Sequence, residues 1–344
     1  MALFCFPGLS LNGSASGGGF RFLYNLKSSF VASSIYTSLA EADTLIFNSH
    51  HWFHILWSLP SLLHRKSYRI LLRVDGPLTI ARSSHVEFIL DFCIFLFAYF
   101  FADGLIFQSN WSRTKFCTLF PFLTTKNIVI HNGVSQAIFS PFITKSISFP
   151  ISIVSASWSP NPNKGFDRLT FLDEHLDFDQ FRLSFCGNSP VSFKNIKVYP
   201  AMNSSELASF YSTQHIFLQT SYIESCSNAL IEAISCGLYP IVPFNSSHPE
   251  MIPLYGSLYK TNSEILTTLN NIISNPSLMQ SESLTIQASS YNIDKTASLY
   301  IDFADSLSPS KKSFVFLKTM LIFFSYSIYH LCIKLKLFTI RFSR

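Results

Sequence analysis

Short apolar runs alternate with stretches of helical period along most of the chain. ALFCF, TLIFNS, RILLRV, GLIFQS and NIVIHN fall in the first 132 residues, and ISIVSAS, FRLSFCG, IKVYP, HIFLQTS and YPIVPF fall between Ile151 and Phe244. Most of these runs are continuously apolar rather than alternating, as parallel strands covered on both faces are. Strand, helix, strand, repeated twice over, predicts an α/β protein of two doubly wound, Rossmann-like domains. GVSQAIFSPFITKSISFP, residues 133–150, breaks the pattern with Pro, Ser and Gly. The first domain is therefore expected over 1–140 and the second over 141–305.

Composition narrows the class. At 344 residues the chain has room for two cores. Charged residues make up only 13% and 36 residues are Phe, which excludes a disordered chain and marks an unusually apolar globular one. The net charge of +5 is supplied by the end of the chain, where Lys311, Lys312, Lys318, Lys334, Lys336, Arg341 and Arg344 occur with no acidic residue. A nucleic-acid binder carries basic clusters through its body as well, and this chain does not, so no nucleic-acid partner is expected. The seven cysteines are odd in number and no two stand at CxxC spacing, which points to reduced core thiols and a cytoplasmic setting. MALFCFPGLSLNG has no basic residue before its apolar run and reads as a first buried strand rather than a signal peptide.

Two apolar stretches bear on membranes. FILDFCIFLFAYFFADG, residues 88–104, is broken by Asp91 and predicts a buried helix. TMLIFFSYSIYHLCI, residues 319–333, is too short to span a bilayer with ease and is followed by Lys334, Lys336, Arg341 and Arg344. Residues 306–344 thus read as a basic apolar tail with a helix lying in a membrane interface, its bases on anionic headgroups at the inner membrane face. The alternative is a C-terminal helix packed on the protein, its bases at the negative end of the helix dipole.

Ligands of open α/β domains bind beyond the carboxyl ends of the strands, where helix N-termini offer unpaired N–H groups to phosphate. Three loops fit that place. NGSASGGGFRF follows the first strand, and its glycines, Gly18 and Gly19 among them, let a substrate approach the backbone; the spacing is not the dinucleotide fingerprint. SASWSPNPNKGFDRL sets Lys164 beside Gly165 at the opening of a helix, where one ammonium can neutralise a phosphate. SYIESCSNALIEAISCG places Glu224 in a loop and Glu232 about one turn into the next helix, which ends at Gly237. Ser227 or Asn228 can cap that helix, leaving the N–H groups of Ser225, Cys226, Ser227 and Asn228 for a phosphate or sugar hydroxyl. Carboxylates accept hydrogen bonds in pairs, so the two acids suit vicinal diols on either side of a diphosphate. His50, Arg73 and Asp75 end first-domain strands and are candidates for the transferred sugar or the acceptor. Asp177-x-Asp179 precedes a strand, on the wrong side for a site, and no acid or Cys set accompanies His50, His51 and His54 to make a metal centre.

The motif Glu224, seven residues, Glu232, Ala233 and then Gly237 resembles that of the family-4 glycosyltransferases, also described as glycosyl transferases group 1. HNGV (131–134), NKGFD (163–167), SSHPEMI (246–252), LLRVDGP (71–77) and ADGLIFQSNWS (102–112) are similar to other segments of that family, so the likeness covers nearly the whole chain to about residue 300. The resemblance implies a GT-B fold, two Rossmann-like domains facing across a cleft, and a retaining enzyme that needs no metal or other cofactor. It implies Glu224 on the donor sugar, Ser225 to Asn228 on its hydroxyls and the diphosphate, Glu232 on the nucleotide ribose, Lys164 on the diphosphate and Glu250 near the donor. Lys164, Glu224 and Asp75 become the candidates for the chemistry, and the partners are a nucleotide-sugar donor and a glycan or lipid-linked acceptor. The chain also departs from the family. Ser159 stands where an Arg is common, SCS replaces GFG after Glu224, and Ser246–His248 replace the glycines before Glu250. A nucleotide-sugar epimerase of the same fold and a non-catalytic sugar-nucleotide binder remain open as alternatives.

Overall fold

The computed structural model describes residues 2–9, 18–49, 51, 67–82, 85–140, 149–279, 289–308 and 310–311. These form two compact units. One is drawn from within residues 1–10, 27–130 and from 297 on, the other from within 11–26 and 131–296. Residues 131–140 thus go with the second unit, and the chain re-enters the first unit at Ala297.

The first unit is a parallel sheet of β1 (Phe4–Cys5), β2 (Thr44–Asn48), β3 (Ser67–Val74), β4 (Gly104–Phe107) and β5 (Asn127–Val129), hydrogen-bonded in that order. Ile35–Thr37 adds a bridge on the outer side of β1, with Phe4 N–H donating to Ile35 O and Thr37 N–H to Phe4 O. Counted with that segment, the order is 2-1-3-4-5-6, a doubly wound sheet whose order reverses between β1 and β2. Helix α1 (Gly18–Ala32) leads into the bridged segment, α2 (Leu78–Arg82) and α3 (His85–Phe100) join β3 to β4, and α4 (Asn110–Leu119) joins β4 to β5. Alternate strand residues, Leu45 and Phe47, Ile70, Leu72 and Val74, Leu105 and Phe107, pack with Leu90, Cys93, Ile94 and Phe97 of α3. Each such fully buried side chain contributes about 2 kcal/mol of hydrophobic stabilisation before the entropy of ordering it is subtracted. Asp91, the acid inside the apolar run, accepts from Leu78 N–H, Thr79 N–H and Thr79 Oγ1, and so caps α2. The expected buried helix is therefore α3, but it is covered on one side only: Phe88, Phe92, Tyr99 and Phe100 on its other side are exposed.

The second unit is all parallel. Its strands are β6 (Ile151–Ser157), β7 (Phe181–Gly187), β8 (Lys197–Tyr199), β9 (Ile216–Leu218), β10 (Tyr239–Pro243) and β11 (Ser257–Tyr259). They lie in the order β8-β7-β6-β9-β10-β11, which is 3-2-1-4-5-6 in the unit's own count. Ile153, Ile216, Leu218 and Ile241 enter one apolar cluster, and their neighbours Val154, Phe217 and Val242 enter another. Both faces are thus covered, as the continuous apolar runs predict. Helices α5 (Phe166–His175), α6 (Ser204–Ser212), α7 (Asn228–Ser235), α8 (His248–Met251) and α9 (Asn262–Ser274) supply the cover, and α10 (Ile293–Asp305) carries the chain back to the first unit. There β12 (Ser310–Lys311) pairs antiparallel with the first residues of β3. Among the described residues no helix is long and apolar enough to cross a membrane. The tail from residue 312 lies outside them.

Candidate functional site

The order of the second sheet reverses between β6 and β9, which hydrogen-bond to each other yet run into helices α5 and α7. Loops leaving two such strands diverge and open a crevice at their carboxyl ends. After β6, Asn161 turns the chain by accepting from Asn163 N–H at 2.9 Å, and a single 3-10 turn, Pro162–Lys164, follows. Gly165 then adopts the left-handed region at φ 73°. A Cβ there would stand 2.1 Å from the Thr220 carbonyl oxygen, so only glycine lets the loop after β9 lie against this turn. The two loops are laced together: Thr220 Oγ1 donates to Lys164 O at 2.7 Å and Tyr222 N–H to Asn163 O at 2.8 Å.

This lacing brings together side chains 60 positions apart. Lys164 Nζ lies 2.5 Å from Glu224 Oε1, both side chains retaining partial exposure at 26% and 17%. Burial pushes the Glu224 carboxyl up, but the Lys164 charge and hydrogen bonds from Lys164 and Ser221 outweigh it and hold the group below the usual carboxylate range. A third loop, after β10, clamps the same residue: Glu224 N–H donates to Ser246 Oγ and Ser247 N–H to Glu224 O. Ser246 has φ 49°, a left-handed conformation unusual for a residue with a Cβ. Next to it His248 is fully buried, with Nδ1 3.0 Å from Asn245 O. A carbonyl only accepts, so Nδ1 carries the proton and Nε2 is left as a buried acceptor with no partner among the described residues. Burial lowers the His248 pKa to about 4, which keeps the ring neutral at physiological pH.

Beyond the Glu224 loop, Ser227 caps α7 by accepting from Leu230 N–H at 3.3 Å. Asn228 bridges outward, accepting from Asn132 Nδ2 at 2.8 Å and donating through Nδ2 to Gly18 O at 2.5 Å. The Cys226 thiol lies in the apolar core, so from this residue only the backbone is offered to the loop. Glu232 is 2% exposed, and Arg21 Nη1 meets its Oε1 at 3.1 Å. Burial raises the Glu232 pKa and the Arg21 charge pulls it back only in part, so the two glutamates of the motif are shifted in opposite senses. Glu250 Oε2 lies 3.6 Å from His131 Nε2. Ser159 is tied within its own loop, its carbonyl accepting from Ser157 Oγ and its Oγ from Asn161 N–H. Gly19, in the first turn of α1, has open space where a Cβ would project.

In the first unit Arg73 and Asp75 stand together at the carboxyl end of β3. The Arg73 side chain is 1% exposed and donates through Nη1 to Asn48 Oδ1 at 2.6 Å and Asp75 Oδ1 at 3.0 Å. Asp75 also accepts from Ser49 Oγ at 2.9 Å and from Gln108 Nε2. From this knot only Asp75 retains appreciable exposure. His50 and His54 lie outside the described residues, as do Gly17 and the start of the glycine loop. Among the described residues no group of three or more His, Cys, Asp or Glu is placed to hold a metal ion. Asp177 accepts from Asp179 N–H and Gln180 Nε2 in an exposed turn before β7, a structural role.

Arg21, Ser246, His248 and Arg168 belong to the site although spacing did not single them out as contacts. Arg168, one turn beyond Lys164, is buried; its Nη1 donates to Thr220 O at 2.8 Å and its guanidinium lies 3.9 Å from the centre of the Tyr222 ring. An Arg four positions after Lys164, in KGFDR, is the one signal the sequence held for it.

The fold matches solved structures over most of the chain. Sucrose-phosphate synthase from Thermosynechococcus elongatus superposes with a TM-score of 0.67 at 13% identity, over 89% of this chain and 98% of that one. The fold is GT-B. Anabaena HepE, solved in complex with UDP-glucose, gives a TM-score of 0.68 at 14% identity over 89% of this chain and 99% of that one. The trehalose-6-phosphate synthase OtsA gives 0.56 at 9% identity, over 84% and 77%. No protein-family model matches the sequence, and no curated protein matches it. At these identities the GT-B likeness speaks for the fold, and the chemistry has to be argued from the site.

Proposed function

We propose that the chain is a retaining glycosyltransferase that moves a hexose from a nucleotide-diphosphate sugar to a hydroxyl of a glycan or lipid-linked acceptor, without a metal. The observation that carries this reading is the convergence at the strand-order reversal of the second unit. There an ammonium paired to a carboxylate at 2.5 Å stands ahead of the N-terminus of α7, with a second, buried carboxylate one turn on. HepE, of the same fold, was solved with UDP-glucose, which supports a donor of that class.

In this reading the bond from the sugar's anomeric carbon to the diphosphate oxygen breaks and its electron pair leaves with the diphosphate. The acceptor oxygen bonds to the same face of that carbon, and its proton passes to the departing phosphate oxygen. No protein nucleophile is required. What the chain supplies is stabilisation of the leaving charge. Lys164 has three N–H donors, one of which meets Glu224, leaving two for phosphate oxygens. The N–H groups of Ser225 to Asn228 and the positive end of α7 add to it, and Ser159 contributes a hydroxyl where a second cation is common. Glu224, held ionised, accepts from sugar hydroxyls; Glu232 accepts from the ribose diol; Glu250 lies at the donor's side. Gly18, Gly19, His50, Arg73 and Asp75 are assigned to the sugar or acceptor, with Asp75 reaching outward. The tail through residues 311–344 is assigned to an anionic membrane surface.

A thermal-shift screen of UDP, GDP, ADP and their sugar conjugates on the parent and on Glu232→Ala tests the reading. One nucleotide is expected to stabilise the parent, by about 2.7 kcal/mol at a hundredfold excess over Kd, and to lose that effect in the variant. If none of them shifts the parent, the donor assignment is wrong. Binding without transfer to any acceptor would leave the non-catalytic alternative in its place.

A further inference from the structure

Among the described residues two that are not glycine hold a positive φ, Ser34 at 57° and Ser246 at 49°. Ser34 follows the last turn of α1, with Ile35 N–H closing back on Phe30 O at 3.0 Å, and a left-handed residue there is an ordinary way to stop a helix. Ser246 ends no helix. It lies between β10 and α8, in the loop that clamps Glu224. Glycine would adopt this conformation with no Cβ to crowd. A left-handed residue with a Cβ persists only where its surroundings enforce it, and such residues gather where function uses them.

What the turn provides is a hydroxyl in one place. Ser246 Oγ accepts from Glu224 N–H at 3.2 Å, and Ser247 N–H donates to Glu224 O at 3.3 Å, so the loop holds that residue by both main-chain groups. Among the described residues no other hydrogen bond reaches the Glu224 main chain. Lys164 and Ser221 act on its carboxylate instead. The Ser246 hydroxyl is held in turn. His248, at 0% exposure, places Nδ1 3.1 Å from Ser246 Oγ and 3.0 Å from Asn245 O, and its single Nδ1 proton faces both oxygens. A hydroxyl has two lone pairs and one proton. With an N–H group on each lone pair, the rotor of Ser246 is set.

We propose that Ser246 is a positioning residue for Glu224, its left-handed turn and its hydroxyl, oriented by His248, fixing where the Glu224 carboxylate meets the donor sugar. This rests on the glycosyl-transfer reading, in which that carboxylate accepts from sugar hydroxyls. A loop carboxylate whose main chain shifts loses alignment with those hydroxyls, while the nucleotide end of the donor is held by other groups. Stability and site geometry are then opposed at one residue: the Cβ strains the turn, and the hydroxyl it carries aligns the site.

The test separates the Cβ from the hydroxyl. Ser246→Gly removes both, and Ser246→Ala removes the hydroxyl alone. Titration calorimetry without acceptor compares UDP-glucose with UDP, GDP-mannose with GDP and ADP-glucose with ADP, and the pair that the parent binds most tightly is carried to the variants. The ratio of sugar-conjugate affinity to free-nucleotide affinity is expected to fall roughly tenfold in both variants. Ser246→Gly should nevertheless melt above Ser246→Ala, because only the glycine is free of a left-handed Cβ. Hydrogen exchange in fragments spanning 223–225, which needs no ligand, should quicken in both. A serine with a merely structural role would make the ratio follow stability. A ratio that falls in Ser246→Ala and stays parent-like in the more stable Ser246→Gly therefore overturns the proposal, as does unchanged exchange at 223–225. If the parent binds one pair and both variants keep its ratio, this proposal alone fails. A parent that binds none of the three pairs fails the glycosyl-transfer reading, and the proposal falls with it.

Discussion

The two units carry the same kind of sheet, yet they treat the carboxyl ends of their strands differently. In the second unit the order reverses between two well-formed strands, and the loops leaving them bring Lys164 and Glu224 together while leaving both partly open to solvent. In the first unit the reversal falls beside a strand of two residues whose outer neighbour is a single bridge. Its gathered polar groups leave instead from the ends of β2, β3 and β4, where Asn48, Arg73, Asp75 and Gln108 close on one another and Arg73 is sealed at 1% exposure. Strand ends collect polar residues everywhere in a parallel sheet. In the second unit both members of the pair stay reachable; in the first the cation is sealed and its carboxylate partner, Asp75, is the member left open.

That difference can be broken by removing the cation from each knot. Arg73→Met removes a sealed guanidinium, leaving the buried Asn48 Oδ1 without its donor and the partly exposed Asp75 without its cation, and is expected to cost about 2 kcal/mol. Chemical unfolding should show this as a lower midpoint at unchanged slope, with nucleotide affinity of the folded fraction unaltered. Lys164→Met is expected to cost no more than about 1 kcal/mol, because its pair is partly solvated, while sharply reducing turnover. If the two variants lose stability equally, the contrast between a sealed knot and an open one fails.

Within the second unit the two glutamates sharpen the point through pH. Glu224 has a lowered pKa, so its ion pair stabilises the fold above the unfolded carboxylate value of about 4.3 and that contribution is lost as pH falls through the folded value. Glu232 has a raised pKa, so the fold is favoured by its protonation and loses that advantage as pH rises from about 4.3 through the folded value. Unfolding free energies measured from about pH 3 to pH 7 should therefore show Glu224→Gln losing ground to the parent as pH rises and Glu232→Gln gaining it. Parallel curves for the two variants would mean the acids do not differ in environment.

Much of this was legible in the chain. The strands announced themselves because buried parallel strands are continuously apolar, and the Glu224 to Glu232 spacing with Gly237 marked a loop, a helix and its stop. What the sequence withheld was long-range or conformational. Arg21 stands 211 positions from Glu232, and nothing local to either residue reveals the pair. Ser246 reads as a polar replacement for glycine, not as a residue held at φ 49° with its hydroxyl under the Glu224 amide. The apolar run at 88–104 reads as buried because periodicity cannot distinguish a helix covered all round from one with an aromatic face left bare. The reversal beside β1 rests on a bridge too short to leave a pattern.

The smallest expected effect concerns Arg21. It is the one charged residue in the first turns of α1, and it meets Glu232 Oε1, while the other carboxylate oxygen has no hydrogen-bond partner among the described residues. Tyr211 of α6 and Cys186 at the end of β7 face the same enclosed region, and burial raises the pKa of each. Arg21 is then the group that favours the ionised form of Glu232 against burial, and by holding Oε1 it would leave Oε2 for the ribose hydroxyl of the proposed donor. Arg21→Ala should raise the Glu232 pKa further, so nucleotide binding should weaken several-fold toward acid pH and recover toward the parent as pH rises. Arg21→Lys, which keeps charge but loses the planar fork, should fall between them. Titration calorimetry across that range reads both the affinity and its slope. An Arg21→Ala curve parallel to the parent's would show that Arg21 braces the helix and does not act through the carboxylate.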